Sequence, residues 1–215
     1  MRREPVVLKP EEMNWLRLEC GLRSCDTWKD GYSMYRCAAA NRGSTKQTLL
    51  DDLLCFWGYN DEDESPDACT QRTRYKYVFE DGTETEEEFT AEHAKRNVKA
   101  LRLVQDALRR GRANKLNRRY TYPEQFFEAL VGIDTMVILY IDTMAEGNDP
   151  RYRVYCRDKC LLTNQMETVT SLLCGAMQRS IKICGVAEKN MHFSSLYHMA
   201  EQPNFAGPNA IGQFT

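Results

Sequence analysis

Between Lys95 and Tyr122 the chain places basic side chains beside tyrosines, a combination suited to a polyanion whose bases can stack. The cations are Lys95, Arg96, Lys99, Arg102, Arg109, Arg110, Arg112, Lys115, Arg118 and Arg119, interrupted by the single acid Asp106 and followed by Tyr120 and Tyr122. Arginine offers phosphate a planar, weakly hydrated fork of donors. A tyrosine ring gives an unpaired base a face to stack on, at about 1–3 kcal/mol per base. The chemistry expected of this stretch is phosphate binding, with single-stranded RNA as the ligand.

Thiols and imidazoles offer less. Cys20-x4-Cys25 and Cys156-x3-Cys160 miss the two-residue spacing of common zinc knuckles, and His192-x5-His198 could complete a set only through tertiary placement. With nine cysteines in the chain such pairs arise by chance, so neither a metal nor another cofactor is expected. Were zinc bound, Cys156, Cys160, His192 and His198 would be the ligands. The chain has no Gly-rich phosphate loop, no Gly-x-Ser-x-Gly elbow and no His-Glu-x-x-His. No catalytic residue is assigned, and a small thiol- or metal-dependent enzyme ranks third among the functions considered.

The cationic stretch has an acidic neighbour. Residues 61–92 hold twelve acids, Asp61, Glu62, Asp63, Glu64, Asp67, Glu80, Asp81, Glu84, Glu86, Glu87, Glu88 and Glu92, against Arg72, Arg74 and Lys76. Pairing between the two blocks across the surface would leave no free cationic face. That alternative makes the protein an interaction subunit of a larger intracellular assembly.

Composition bounds both readings. With 215 residues the chain can bury one sizeable core, and 42% apolar with 28% charged residues is ordinary for a globular protein. A formal net charge of −2 gives no global attraction to nucleic acid, so any such case rests on where the charges sit. No run approaches the roughly 18 apolar residues of a membrane helix, and Met1-Arg2-Arg3-Glu4-Pro5 lacks the apolar core of a signal peptide. Reduced cysteines in an intracellular protein, cytoplasmic or nuclear and with no membrane partner, are the expectation.

The elements that would position the cations read mainly as helices. Ala94, Val98, Leu101, Val104 and Leu108 recur at three and four residues and line one face of a helix capped by Thr90. Glu11-Glu12 after Pro10 opens a short helix that Gly21 ends, and Asp26 can cap a second carrying Tyr35 and Ala39. Ser44 or Thr45 caps a third, in which Leu49, Leu50, Leu53, Leu54, Phe56 and Trp57 form a wide apolar stripe. Alternating residues around Asp81-Gly82 predict a β-hairpin near 73–89. Phe126, Leu130, Ile133, Val137, Tyr140 and Met144 read as a buried helix, with a strand over 136–141 as its rival. A short helix after Asp149-Pro150 competes with a strand at 151–157. Met166 to Ile181 is helical, stopped by Gly185, and a last helical turn lies around Phe193, Leu196 and Met199.

The expected fold is therefore mainly α (α+β): an N-terminal arm (1–10), a single compact helical domain (11–200) with one β-hairpin, and a C-terminal tail (201–215). Val6, Val7 and Leu8 in the arm and Phe205, Ile211 and Phe214 in the tail are apolar groups that could dock on a neighbouring subunit. In layout this resembles helical RNA-packaging proteins, although no motif of theirs is matched. The function expected is a non-enzymatic, self-associating RNA-binding protein of coat or nucleocapsid type, incorporated in a particle and forming a homo-oligomer.

Overall fold

The computed structural model describes residues 8–25, 33–58, 74–110, 123–133, 136–143, 145–178, 182–189 and 192–198. In chain order its elements are α1 (Pro10–Leu18), β1 (Leu22–Cys25), α2 (Ser33–Arg42), α3 (Lys46–Phe56), β2 (Arg74–Phe79), β3 (Glu84–Glu88), α4 (Ala91–Arg109), α5 (Pro123–Ile133), β4 (Met136–Asp142), β5 (Tyr152–Tyr155), β6 (Lys159–Thr163), α6 (Met166–Gln178), β7 (Lys182–Lys189) and β8 (His192–His198).

The strands form one mixed sheet in the order β1-β8-β7-β4-β5-β6-β2-β3. β4 runs parallel to β7 and β2 parallel to β6, and the other neighbours are antiparallel. This corrects the mainly helical expectation: a sheet is central, and the hairpin expected at 73–89 is its β2–β3 edge. Helices cover both faces. On one, residues of α2, α3, α4 and α5 enclose Ile138, Tyr140, Tyr155, Cys160 and Leu162. On the other, Trp15 and Leu16 of α1 and Val169 and Leu173 of α6 enclose Val137, Leu139, Ile141, Tyr152 and Val154.

Two layers of helix explain why the strands were hard to read. A strand buried on one face alternates, whereas one buried on both is a continuous apolar run. Met136 to Ile141 is such a run, and from Val137 to Ile141 successive side chains enter opposite cores. The buried helix expected through Met144 therefore ends at Ile133 and a strand takes over, as its rival reading had it. The strand alternative also holds at 151–157, as β5. Gly185 is no helix stop; it lies within β7, opposite Leu139 and Leu196. Residues 192–198 form β8 rather than a helical turn, because their backbone finds partners in β1 and β7.

Local signals set several boundaries as read. Thr45 Oγ1 accepts from Thr48 N at 3.1 Å and caps α3. Thr90 Oγ1 accepts from His93 N, and His93 Nδ1 accepts from Thr90 N, closing a capping box at the start of α4. Asp81 Oδ1 accepts from Thr83 N and Thr83 Oγ1 in the β2–β3 turn, where Gly82 takes a φ of 83°.

Candidate nucleic-acid interface on α4

α4 packs its apolar face inward through Ala94, Val98, Leu101 and Val104. Two polar contacts fix its rotation. Asn97 Nδ2, itself buried, donates to Gln125 Oε1 of α5 at 2.8 Å, and Gln105 Nε2 donates to Asp51 Oδ1 of α3 at 2.7 Å. At 100° per residue, Glu92, Lys95, Lys99, Arg102, Asp106, Arg109 and Arg110 then share a face roughly 100° wide, opposite the buried one. All seven are exposed. From Lys95 to Arg110 the row is about 22 Å long at 1.5 Å per residue.

Four of the hairpin acids, Glu80, Glu84, Glu86 and Glu87, have partners other than the α4 cations. Glu84 takes Lys76 Nζ at 2.7 Å, and Glu86 takes Arg74 Nη1 at 3.5 Å, both across the β2–β3 ladder. The Glu84 hydrogen bond and charge raise the Lys76 ammonium above its ordinary value. Glu80 accepts from Asn164 N, and Glu87 accepts from Gln125 Nε2 at 3.2 Å. Gln125 thus stands between the two charge blocks, since its Oε1 also accepts from Arg96 Nη2 at 3.3 Å. Among the described residues Lys95, Lys99, Arg109 and Arg110 of this face have no ion-pair partner. On β3 the acids also guard a sheet edge against pairing with another strand.

The structure places the remaining expected residues as follows. Arg109 is the last residue of α4, and Arg110 is its C-cap. Arg112, Lys115, Arg118, Arg119, Tyr120 and Tyr122 lie outside the described residues, as do Asp61–Asp67, Val6, Val7, Phe205, Ile211 and Phe214. Leu8 is buried with Trp15 and Leu16 in the chain's own core, so it offers no surface to a neighbouring subunit. Cys160 packs into one core while Cys156 packs against the other. His192 and His198 are the two ends of β8, about 20 Å apart at roughly 3.3 Å per residue, and cannot share an ion. Among the described residues no His, Cys, Asp and Glu side chains group as a metal site. No described helix is long and apolar enough to cross a membrane.

Two buried carboxylates escaped the sequence reading. Glu12 accepts from Arg151 and Tyr152 beneath α1, and Glu128 of α5 accepts from the Tyr77 hydroxyl. Burial, then the Tyr155 and Glu128 charges, push the Tyr77 phenol far above its ordinary value, so it remains a donor. The signal was present in both cases: Glu12 falls in the apolar row with Trp15 and Leu16, and Glu128 interrupts the apolar run from Phe126 to Val131. Both sit inside the packed cores and hold helices to the sheet, which leaves the α4 face as the candidate site.

No protein family, curated protein or solved structure matches this chain.

Proposed function

We propose that this protein binds nucleic acid, RNA foremost, through phosphate contacts along α4, as a non-enzymatic packaging subunit of coat or nucleocapsid type. The observation that carries this reading is the row Lys95, Lys99, Arg109 and Arg110: exposed, on one face, and without an ion-pair partner among the described residues. Two of the hairpin acids that could have neutralised it, Glu84 and Glu86, pair with Lys76 and Arg74 instead. Arg112, Lys115, Arg118 and Arg119 follow α4 in the chain and add four positive charges to this part of the sequence. Self-association of such a subunit would fall to Val6 and Val7 and to Phe205, Ile211 and Phe214.

The test replaces Lys95, Lys99, Arg109 and Arg110 together by alanine and titrates a fluorescent RNA at about 50 and 200 mM salt. Each lost phosphate contact should flatten the log–log salt slope by about 0.7 on single strands and 0.9 on duplex. Weaker binding with a flatter slope is the expected result. Equal affinity and slope in the variant would overturn the reading.

A further inference from the structure

On the face of the sheet that α1 and α6 cover, contacts along α1 follow α6 from its start onward. Near the beginning of α1, Glu12 accepts from the hydroxyl of Tyr152, whose register partner Thr163 stands just before α6. One turn on, Trp15 Nε1 donates to Thr170 Oγ1 of α6 at 2.8 Å. Beyond the end of α1, Cys20 Sγ lies 3.9 Å from the same Thr170 Oγ1. The next residue on that stripe of α6 is Cys174, four positions after Thr170 and about 5–6 Å from it between Cβ atoms. The progression from Glu12 through Trp15 to Cys20 therefore carries Cys20 toward Cys174.

Both are free thiols. Burial raises the Cys20 thiol to about 11, the hydrogen bond with Thr170 opposes it, and charge on Cys174 raises it again, so the two sulfurs are in electrostatic reach of each other. Their exposure differs. Cys20 is 1% exposed, whereas Cys174 is half-buried. An oxidant arriving from solvent meets Cys174 first, while Cys20, inert toward solvent through its burial, is placed to react with the product. Cys156 and Cys160, although closer in sequence, pack against opposite cores. A disulfide needs Cα atoms about 4.4–6.8 Å apart. Cys20 lies in the turn between the C-cap Glu19 and Gly21, whose φ is 63°, so closure calls on a turn and leaves helix backbone in place.

We propose that Cys20 and Cys174 are a peroxide-responsive thiol pair that closes to a disulfide across the seam between α1 and α6. The Cys174 thiolate attacks one oxygen of hydrogen peroxide, the O–O bond breaks, and the other oxygen takes a proton and leaves as water; Cys174 becomes a sulfenic acid. The Cys20 sulfur then attacks the Cys174 sulfur. The S–S bond forms as the S–O bond breaks, and the departing hydroxide takes the Cys20 proton and leaves as a second water. Two electrons pass from the thiols to the peroxide, and a reducing dithiol returns them. Closed, the bond ties the α1–β1 turn at the edge of the sheet to α6.

The test treats the reduced full chain with hydrogen peroxide, blocks remaining thiols by alkylation, and maps the digest by mass spectrometry. The expected product is a peptide pair joined through Cys20 and Cys174 and separated by dithiothreitol. Cys20→Ala should leave Cys174 as a sulfenic acid that dimedone traps, and Cys174→Ala should abolish both signals. If either variant fails to fold, the wild-type map decides alone. Recovery of Cys20 and Cys174 as separate alkylated thiols after oxidation overturns the pair. So does Cys174 joined to another cysteine, or carried on to the sulfinic acid while Cys20 is still a thiol. None of these readouts depends on nucleic-acid binding.

Discussion

The Glu12 carboxylate and the Arg151 guanidinium form a two-point pair, Nε to Oε1 at 2.8 Å and Nη2 to Oε2 at 2.9 Å. Lys9 N and the Tyr152 hydroxyl complete the shell around Glu12, whose side chain is 1% exposed. The pair clamps α1 to the residue that precedes β5. Removing one partner of a buried pair leaves an uncompensated charge, at about 3–5 kcal/mol. Arg151→Met should lower unfolding stability in urea by that amount, and Glu12→Leu/Arg151→Met should recover most of it. A single variant as stable as wild type would show that the clamp contributes nothing.

The same pair gives an acid-dependence. Burial alone would raise the Glu12 carboxyl, but Arg151, the Lys9 amide and Tyr152 outweigh it and hold the group below its ordinary value of 4.5. A carboxyl held low by folding makes its full contribution above about pH 4.5 and loses it as the pH falls through the folded value. Glu12→Gln should be less stable at neutral pH and lose less stability on acidification. An equally steep acid limb in the variant would assign that limb to other carboxylates.

Tyr77 and Glu128 link β2 to α5. In Tyr77→Phe a buried carboxylate oxygen loses its donor, a loss of about 1–3 kcal/mol. The expected readout is a lower melting temperature with the proposed nucleic-acid binding unchanged, because neither residue faces the α4 row. A change in affinity at full folding would place this cluster in the binding machinery.

Gly132 of α5 lies against the Phe56 ring of α3: a Cβ there would stand 2.5 Å from Phe56 Cε2. Phe56 is buried, so the ring has little room to yield, and overpacking of this kind usually destabilises by about 1–3 kcal/mol. Gly132→Ala should be destabilised, and Gly132→Ala/Phe56→Leu should recover part of the loss. Additive losses in the double variant would show that the two positions are not in contact.

Thiol reactivity should divide by burial. Burial pushes the Cys20 thiol up to about 11, against a weaker opposing hydrogen bond with Thr170, and drives Cys160 well above its ordinary value. Cys55 is exposed. Native alkylation near pH 8, followed by mass spectrometry, should label Cys55 and spare Cys20 and Cys160 until the chain is unfolded. Early labelling of Cys160 would show that the α5 side of the sheet opens.

The sequence by itself determined the features that depend on neighbours a few residues away. The caps at Thr45 and Thr90, the Asp81-Gly82 turn, the amphipathic period of α4 and the outward position of its cations all follow from spacing within one or two turns of chain. Tertiary structure alone decided what became of the apolar runs. Met136 to Ile141, Lys182 to Lys189 and His192 to His198 become strands because their backbone partners lie far along the chain, Leu22 of β1 pairing with His198 of β8 for instance. It likewise decided whether opposite charge blocks neutralise each other: Glu84 and Glu86 find Lys76 and Arg74 across a ladder at hydrogen-bonding range, while Gln125 is what stands between Glu87 and Arg96. Attraction between exposed charges weakens with distance and salt. Which side chains meet is therefore set by the packing of the sheet and helices, and charge totals in the sequence do not specify that packing.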